Sequence, residues 1–169
     1  LYFYLNATLY YSGSDSVSWS NGTEDWYLGI YGGSSYPFTG FMDDISIYKG
    51  VGFNANTVIE RYQTGRAGNH HTANSACVLH IKADSTYGDR TFTDASPSAH
   101  TITTVGNVYH HIDDNRTANT ALYFDGNSYI ETAPHTSVSS LAAVEAWTAE
   151  CWFKLDQEGS GGAYAALIG

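Results

Sequence analysis

The chain has 169 residues, 43% of them hydrophobic and only 14% charged, with a formal net charge of −10. That is enough apolar material for one domain of ordinary size. The acidic excess argues against nucleic acid, which is held by Lys and Arg on phosphates, and against an anionic membrane surface. No apolar run approaches the roughly 20 residues of a membrane-spanning helix, so no membrane insertion is expected. Tyr and Gly are abundant, at 14 and 17 residues, among many Ser and Thr. This is the composition of a twisted antiparallel β protein with hydroxyl-rich faces.

Residues 1–11 alternate, with Leu1, Phe3 and Leu5 against Tyr2, Tyr4 and Asn6. A turn at Asn6-Ala7 makes this a hairpin, although the usual pair at such a turn is Asn-Gly. Residues 12–22 read as a polar loop, and Trp26, Leu28 and Ile30 as a short strand. Residues 38–48 begin in a turn at Pro37 and Gly40, end in one at Gly50 and Gly52, and alternate between. Strict alternation places Phe41, Ile45 and Ile47 on one face, and Met42, Asp44, Ser46 and Tyr48 on the other. Asp43 then falls on the apolar face, where it must be paired, hydrogen-bonded or bound to a cation.

Residues 54–64 place Val58, Ile59 and Tyr62 at helical spacing, with Asn54 or Asn56 as the N-cap and Gly65 as the stop. Residues 67–76 are small, polar and aperiodic, and read as a linker. Beyond it, Cys77 alternates with Leu79 and Ile81. In residues 120–131, Leu122 and Phe124 point inward and Asp125-Gly126 supplies a hairpin turn. In residues 148–155, Ala149, Cys151, Phe153 and Leu155 face one way, and Glu150, Trp152 and Lys154 the other. The two cysteines read either as buried free thiols or as one bridge. The start at Leu1 and the stop inside the apolar run 166–169 read as a piece of a longer polypeptide.

The stretch FTGFMDDISIYKGVGFNANTVIERYQTG resembles the C-terminal end of a laminin G-like, concanavalin A-type jelly-roll domain. Such an ending runs aromatic-x-Gly-aromatic-hydrophobic-Asp-Asp, then a strand, then a short helix. TFTDASPSAH, TALYFDGNSYIE and TAECWFKL resemble the opening of the same family. Residues 1–66 thus resemble the C-terminal part of such a domain and 77–169 the N-terminal part, in swapped order. Both a window cut from tandem repeats and a circularly permuted single domain fit that order. The resemblance implies an all-β, antiparallel jelly-roll β-sandwich of concanavalin A-like type with one short helix near 54–64.

The resemblance also brings the Asp-x-Ser segment near the Asp-Asp strand, making Asp43, Asp44 and Asp94 candidate ligands of a structural Ca²⁺. Hydrogen-bonded structural carboxylates are the other reading. The pairs His70-His71 and His110-His111 point to opposite strand faces and do not chelate by themselves. Trp19, Trp26, Tyr31 and Tyr36 are candidate sugar platforms, because flat rings stack on pyranose faces; Tyr27 belongs to the same set, while the resemblance puts Trp152 in a core strand motif and so in a structural role. Glu145 and Glu150 are five apart, hence on opposite faces, and Asp43 and Asp44 are adjacent. Neither is the carboxylate pair of a glycosidase, so an enzyme is not expected. Asn6, Asn21 and Asn115 each open an Asn-x-Thr triplet.

The expected function is non-enzymatic: a carbohydrate-binding or adhesion module of a repetitive extracellular or virion-surface protein, of the kind found in marine bacteriophage tail or head fibres and bacterial adhesins. Its partners would be glycans or cell-surface polysaccharide and neighbouring copies of the same protein. The alternative is a structural spacer, decoration or filament subunit assembled by strand pairing. A glucanase-like hydrolase is a third reading.

Overall fold

The computed structural model describes residues 2–13, 26–32, 35–113, 115, 119–133, 146–156 and 167. The described residues are mostly antiparallel strand with one helix. A hairpin of β1 (Tyr2–Leu5) and β2 (Thr8–Ser12) forms a two-stranded sheet. A three-stranded sheet runs β3 (Trp26–Leu28), β9 (Tyr129–Thr132), β6 (Ile102–Val105). A five-stranded sheet is built on β4 (Thr39–Lys49). Its other members are β5 (Cys77–Ile81), β7 (Tyr109–His111), β8 (Ala121–Asp125) and β10 (Trp147–Leu155). The larger two sheets share one core: Trp26, Leu28 and Ile130 from the smaller pack with Met42, Ile45, Leu79 and Phe124 from the larger.

The strand β4 organises the large sheet. One of its edges pairs with β10 from Gly40 to Lys49. Its other edge is shared: β8 takes Thr39 to Met42, and β5 takes Ile45 to Tyr48. The changeover falls at Asp43-Asp44. There Asp44 has φ of 49°, and the β10 register shifts between Glu150, opposite Ser46, and Trp152, opposite Asp43. This is a β-bulge, and it resets the alternation. Met42 joins Ile45 and Ile47 in the core, while Phe41, Ser46 and Tyr48 lie on the outer face. Asp43 sits opposite Trp152, whose ring meets the helix, so it too is on the outer face. The expected out-of-step Asp43 is thus removed from the apolar face by one extra residue in the strand.

Helix α1 (Ala55–Arg66) covers half of that outer face. Asn54 caps it, its side chain accepting from the Thr57 N–H at 3.0 Å. The helix does not stop at Gly65 but runs to Arg66, with Ala67 as its C-cap. Gly65 has a different task. A Cβ there would lie 2.5 Å from the Trp152 indole, so its absence lets the helix sit flat on β10. Tyr62 stacks on the same indole, with centroids 5.2 Å apart. Ile59 is instead 40% exposed; the inward stripe is the half-buried Val58, Arg61 and Tyr62 with the buried Gly65.

One further expectation changes. Asp125-Gly126 does not close a hairpin: β8 and β9 belong to different sheets, and the turn carries the chain from one to the other. The Asp125 carboxylate holds that turn by accepting from Asn127 N–H and the Ser128 hydroxyl. Within residues 67–76, read as a linker, His71 is buried. Cys77 and Cys151 are free thiols. The β1–β2 turn does form at Asn6-Ala7, with φ of 50° and 59°, the two positive values of a tight hairpin turn.

Replacing Gly65 by Ala tests the helix seat. Ala is favoured over Gly in a helix by ~1 kcal/mol, but overpacking costs ~1–3 kcal/mol. Gly65→Ala is expected to lower the urea midpoint of unfolding. A raised midpoint would mean that the helix does not approach Trp152 so closely.

Candidate functional site

The outer face of the large sheet has two halves. Under α1 lies a polar cluster centred on Asp44, which is 1% exposed. An unpartnered carboxylate at such a place is costly, and here it is surrounded by donors. His80 of β5 brings Nε2 to 2.7 Å from Oδ1. His71 brings Nδ1 to 2.9 Å from Oδ2 and donates its backbone N–H to the same oxygen at 3.2 Å. His70 Nδ1 is 3.5 Å from Oδ1, and its Nε2 is 2.8 Å from Asp84. Burial would raise the Asp44 carboxyl, but His71 and His80 outweigh it and hold it well below the usual carboxylate range.

Beside this cluster, Arg61 of α1 forms a bidentate pair with Glu150 of β10. It also donates to the Tyr48 hydroxyl and lies 4.9 Å over both the Tyr48 and Phe53 rings. Burial and then Glu150 push the Tyr48 phenol up.

Asp94 stands apart, in the loop after β5. Its Oδ1 accepts from the His80 and Ser96 N–H groups at 2.9 and 2.8 Å. Its Oδ2 accepts from the Ser96 hydroxyl and the His100 N–H at 2.9 and 2.8 Å. The structure therefore links Asp94 to Asp44 through one residue, His80, whose backbone serves the first and whose ring serves the second. These surroundings do not suit Ca²⁺. A hard cation needs several oxygen ligands, and these carboxylates face N–H and O–H donors and imidazoles. Among the described residues no group of three or more His, Cys, Asp or Glu side chains is arranged to hold a metal ion. Asp43 and Asp44 share a face, contrary to strict alternation, but both are 1% exposed and lie out of a polysaccharide's reach.

The other half of the face, over β4, β8 and β7, is not covered by the helix. Aromatic rings cross it from strand to strand. Phe41 meets Tyr123 at 5.2 Å, Tyr123 meets Tyr109 at 5.4 Å, and Tyr109 meets Tyr87 at 6.3 Å. His111 lies 5.5 Å from Phe41 and 5.2 Å from Tyr87. Tyr87, on the loop between β5 and β6, is 61% exposed. Tyr109 and Tyr123 are half-buried. Lys154 Nζ lies 5.8 Å over the Phe41 ring.

The expected platform residues fare differently. Trp19 lies outside the described residues. Trp26 is buried in the core because it pairs with Thr132 on β9 and faces the large sheet, so it offers no ring to a sugar. Tyr31 and Tyr36 are exposed, their rings 6.1 Å apart across a short turn closed by the Tyr31–Ser35 bridge. Trp152 lies under the helix. The strip of Phe41, Tyr87, Tyr109, His111 and Tyr123 was not anticipated. Its signal was local alternation: Tyr123 stands between the inward Leu122 and Phe124, and Tyr109 and His111 flank the buried His110.

Comparison of the chain with protein-family models, curated proteins and solved structures finds no match.

The carboxylate of Asp94 can be tested directly. Asp94→Ala leaves several buried donors without an acceptor, each worth ~1–3 kcal/mol. A loss of about 3 kcal/mol in chemical denaturation is expected, with no change in wild-type melting on adding EDTA. A melting temperature that falls in EDTA for the wild type but not for the variant would instead make Asp94 a cation ligand.

Proposed function

We propose that the chain is a non-enzymatic recognition module that binds carbohydrate on the open half of the large sheet. The observation that carries this reading is the aromatic strip from Tyr123 through Tyr109 to Tyr87, with the buried Phe41 behind its inner end. Half-buried Tyr123 and Tyr109 on neighbouring strands and exposed Tyr87 on the loop, their rings tilted or edge-on to one another, line a path for sugars across the sheet. The Tyr31–Tyr36 pair offers a second, smaller platform. The net charge of −10 favours a neutral glycan over a polyanion. The sequence resemblance to laminin G-like modules supports reading the chain as one module of a repetitive extracellular or virion-surface protein, where many weak sites act together.

One observation favours a second reading, assembly by strand pairing. The β1–β2 hairpin carries no charged residue and exposes Tyr2 at 69% and Tyr10 at 77%. A two-stranded ribbon is marginal by itself in water, and its open edges can accept another strand.

A glycan array probed with the folded protein, in Ca²⁺ and again in EDTA, separates the two. Retention on neutral polysaccharides is expected. Tyr87→Ala is expected to weaken it up to about tenfold, the value of one aromatic contact at ~0.5–1.5 kcal/mol. Tyr87 lies on a loop, so its loss is expected to leave the melting temperature nearly unchanged. No binding to any glycan, with self-association that ends on removing the hairpin aromatics, would favour the assembly reading.

A further inference from the structure

The polar cluster under α1 plays no part in the proposed binding face, yet it joins five parts of the chain. Its protonation can be read from the geometry. His71 Nε2 lies 2.8 Å from the Arg61 carbonyl oxygen, which only accepts, so this nitrogen carries a proton. His71 Nδ1 faces the Asp44 carboxylate at 2.9 Å, which also only accepts when ionised. The Nε2 bond and the ionic contact of Nδ1 with the carboxylate together favour the doubly protonated ring, the imidazolium.

Every neighbouring element contributes to its field. Asp44 comes from β4, Glu150 from β10 at 3.5 Å from Nδ1, and Arg61 from α1. His80 of β5 shares Asp44 with His71. The adjacent His70 spans from Asp44 to Asp84. Arg61 is already committed to Glu150 and the Tyr48 hydroxyl.

We propose that His71 is a proton-operated latch, which in its imidazolium form fastens helix α1 and the segment that follows it onto the large sheet. Protonated, His71 ties the helix's Arg61 carbonyl to Asp44 at the β4 bulge. Without the second proton the ring can serve only one of the two, and Asp44 is left with the His80 ring and the His71 backbone N–H. The cover over the sheet then loosens while the sheet itself stays paired.

The sign follows from the two partners. Burial would lower the His71 pKa, but Asp44 and Glu150 outweigh it and raise it above the ordinary 6.5. Its stabilisation is therefore complete below about pH 6.5 and is lost as pH rises through the folded value. Asp44 is held below its ordinary 3.8, so its own contribution is present above about pH 4 and fails only in strong acid. The latch is closed between these limits and opens on the alkaline side.

The test compares the full chain at about pH 6 and about pH 8.5, on either side of the ordinary histidine range. The wild type is expected to melt about 3 °C higher at the lower pH, and amides of α1 to lose protection at the higher pH before those of β4. His71→Gln is expected to melt near the wild type's alkaline value at both pH values. A variant that keeps the full wild-type pH dependence would overturn the proposal. Should it fail to fold, ¹⁵N shifts of the wild-type His71 ring decide: both nitrogens protonated at about pH 6 supports the latch, and a neutral ring overturns it. A melting temperature raised by Zn²⁺ and restored by EDTA would also overturn it, making the cluster a metal centre.

Discussion

The outer face of this protein depends on one buried carboxylate. Asp44 sits where β4 exchanges one neighbour for another, at a φ of 49°, and 1% exposed. A charge there is tolerable only with several donors around it. Those donors come from different parts of the chain: His80 from β5, His71 from the segment after the helix, and the His71 backbone as well. The carboxylate thereby fixes where that segment lies and, with Arg61 and Glu150 beside it, where the helix lies. Breaking such a constellation costs more than its net contribution, because the partners left behind stay buried and charged.

The placement of the helix decides which part of the outer face is covered. Gly65 and Tyr62 settle it against Trp152, and it covers the β4–β5–β10 half of the face. Among the described residues no helix covers the β4–β8–β7 half, and strand pairing holds its rings. Cross-strand aromatic pairs stabilise sheets in their own right, so the strip needs no ligand to exist. What favours a ligand is Tyr87, which lies on a loop, adds to no ladder, and is largely exposed. A ring in that position extends the strip beyond what the sheet requires.

Much of the strand content was legible because alternation is a direct consequence of the two-residue repeat. The hairpin at Asn6-Ala7, the strand at 39–49 and the helix capped by Asn54 follow from turn chemistry and periodicity. The errors share one physical origin. A bulge is one extra residue, and nothing in the sequence around Asp43-Asp44 separates it from an even strand. Once it is present, every face assignment upstream of it reverses. Gly65 looked like a helix stop because Gly commonly is one, while its real reason is an indole that arrives from residue 152. Asp125-Gly126 looked like a hairpin because the local signal is the same whether the next strand returns to its own sheet or crosses to the other. The Asp44 cluster was hidden for a related reason. Its members, at 44, 70, 71, 80 and 150, are scattered along the chain, and His70-His71 lies in a stretch with no periodicity at all.

The pairing pattern also constrains how the fold can form. Among the described strands, β4 finds its partners at 77–81, 121–125 and 147–155, and β3 finds its partner at 129–132. Within residues 1–66 the pairing left to the described strands is the local β1–β2 hairpin. The central strand therefore cannot be satisfied on either edge until most of the chain is available. Contacts of this separation carry a large loop-closure cost before they contribute any stability. A bare β4 has two unpaired edges and the apolar residues Met42, Ile45 and Ile47, a template for wrong pairing. Asp43 and Asp44 lie in the middle of that strand. In an unfolded chain their charges interrupt an otherwise apolar, β-prone run, the kind of interruption that discourages aggregation. In the folded state the bulge turns both carboxylates to the outer face, where the histidines meet Asp44. The same two residues thus oppose mispairing early and anchor the cover late, which accounts for charge being kept at a place where burying it is expensive.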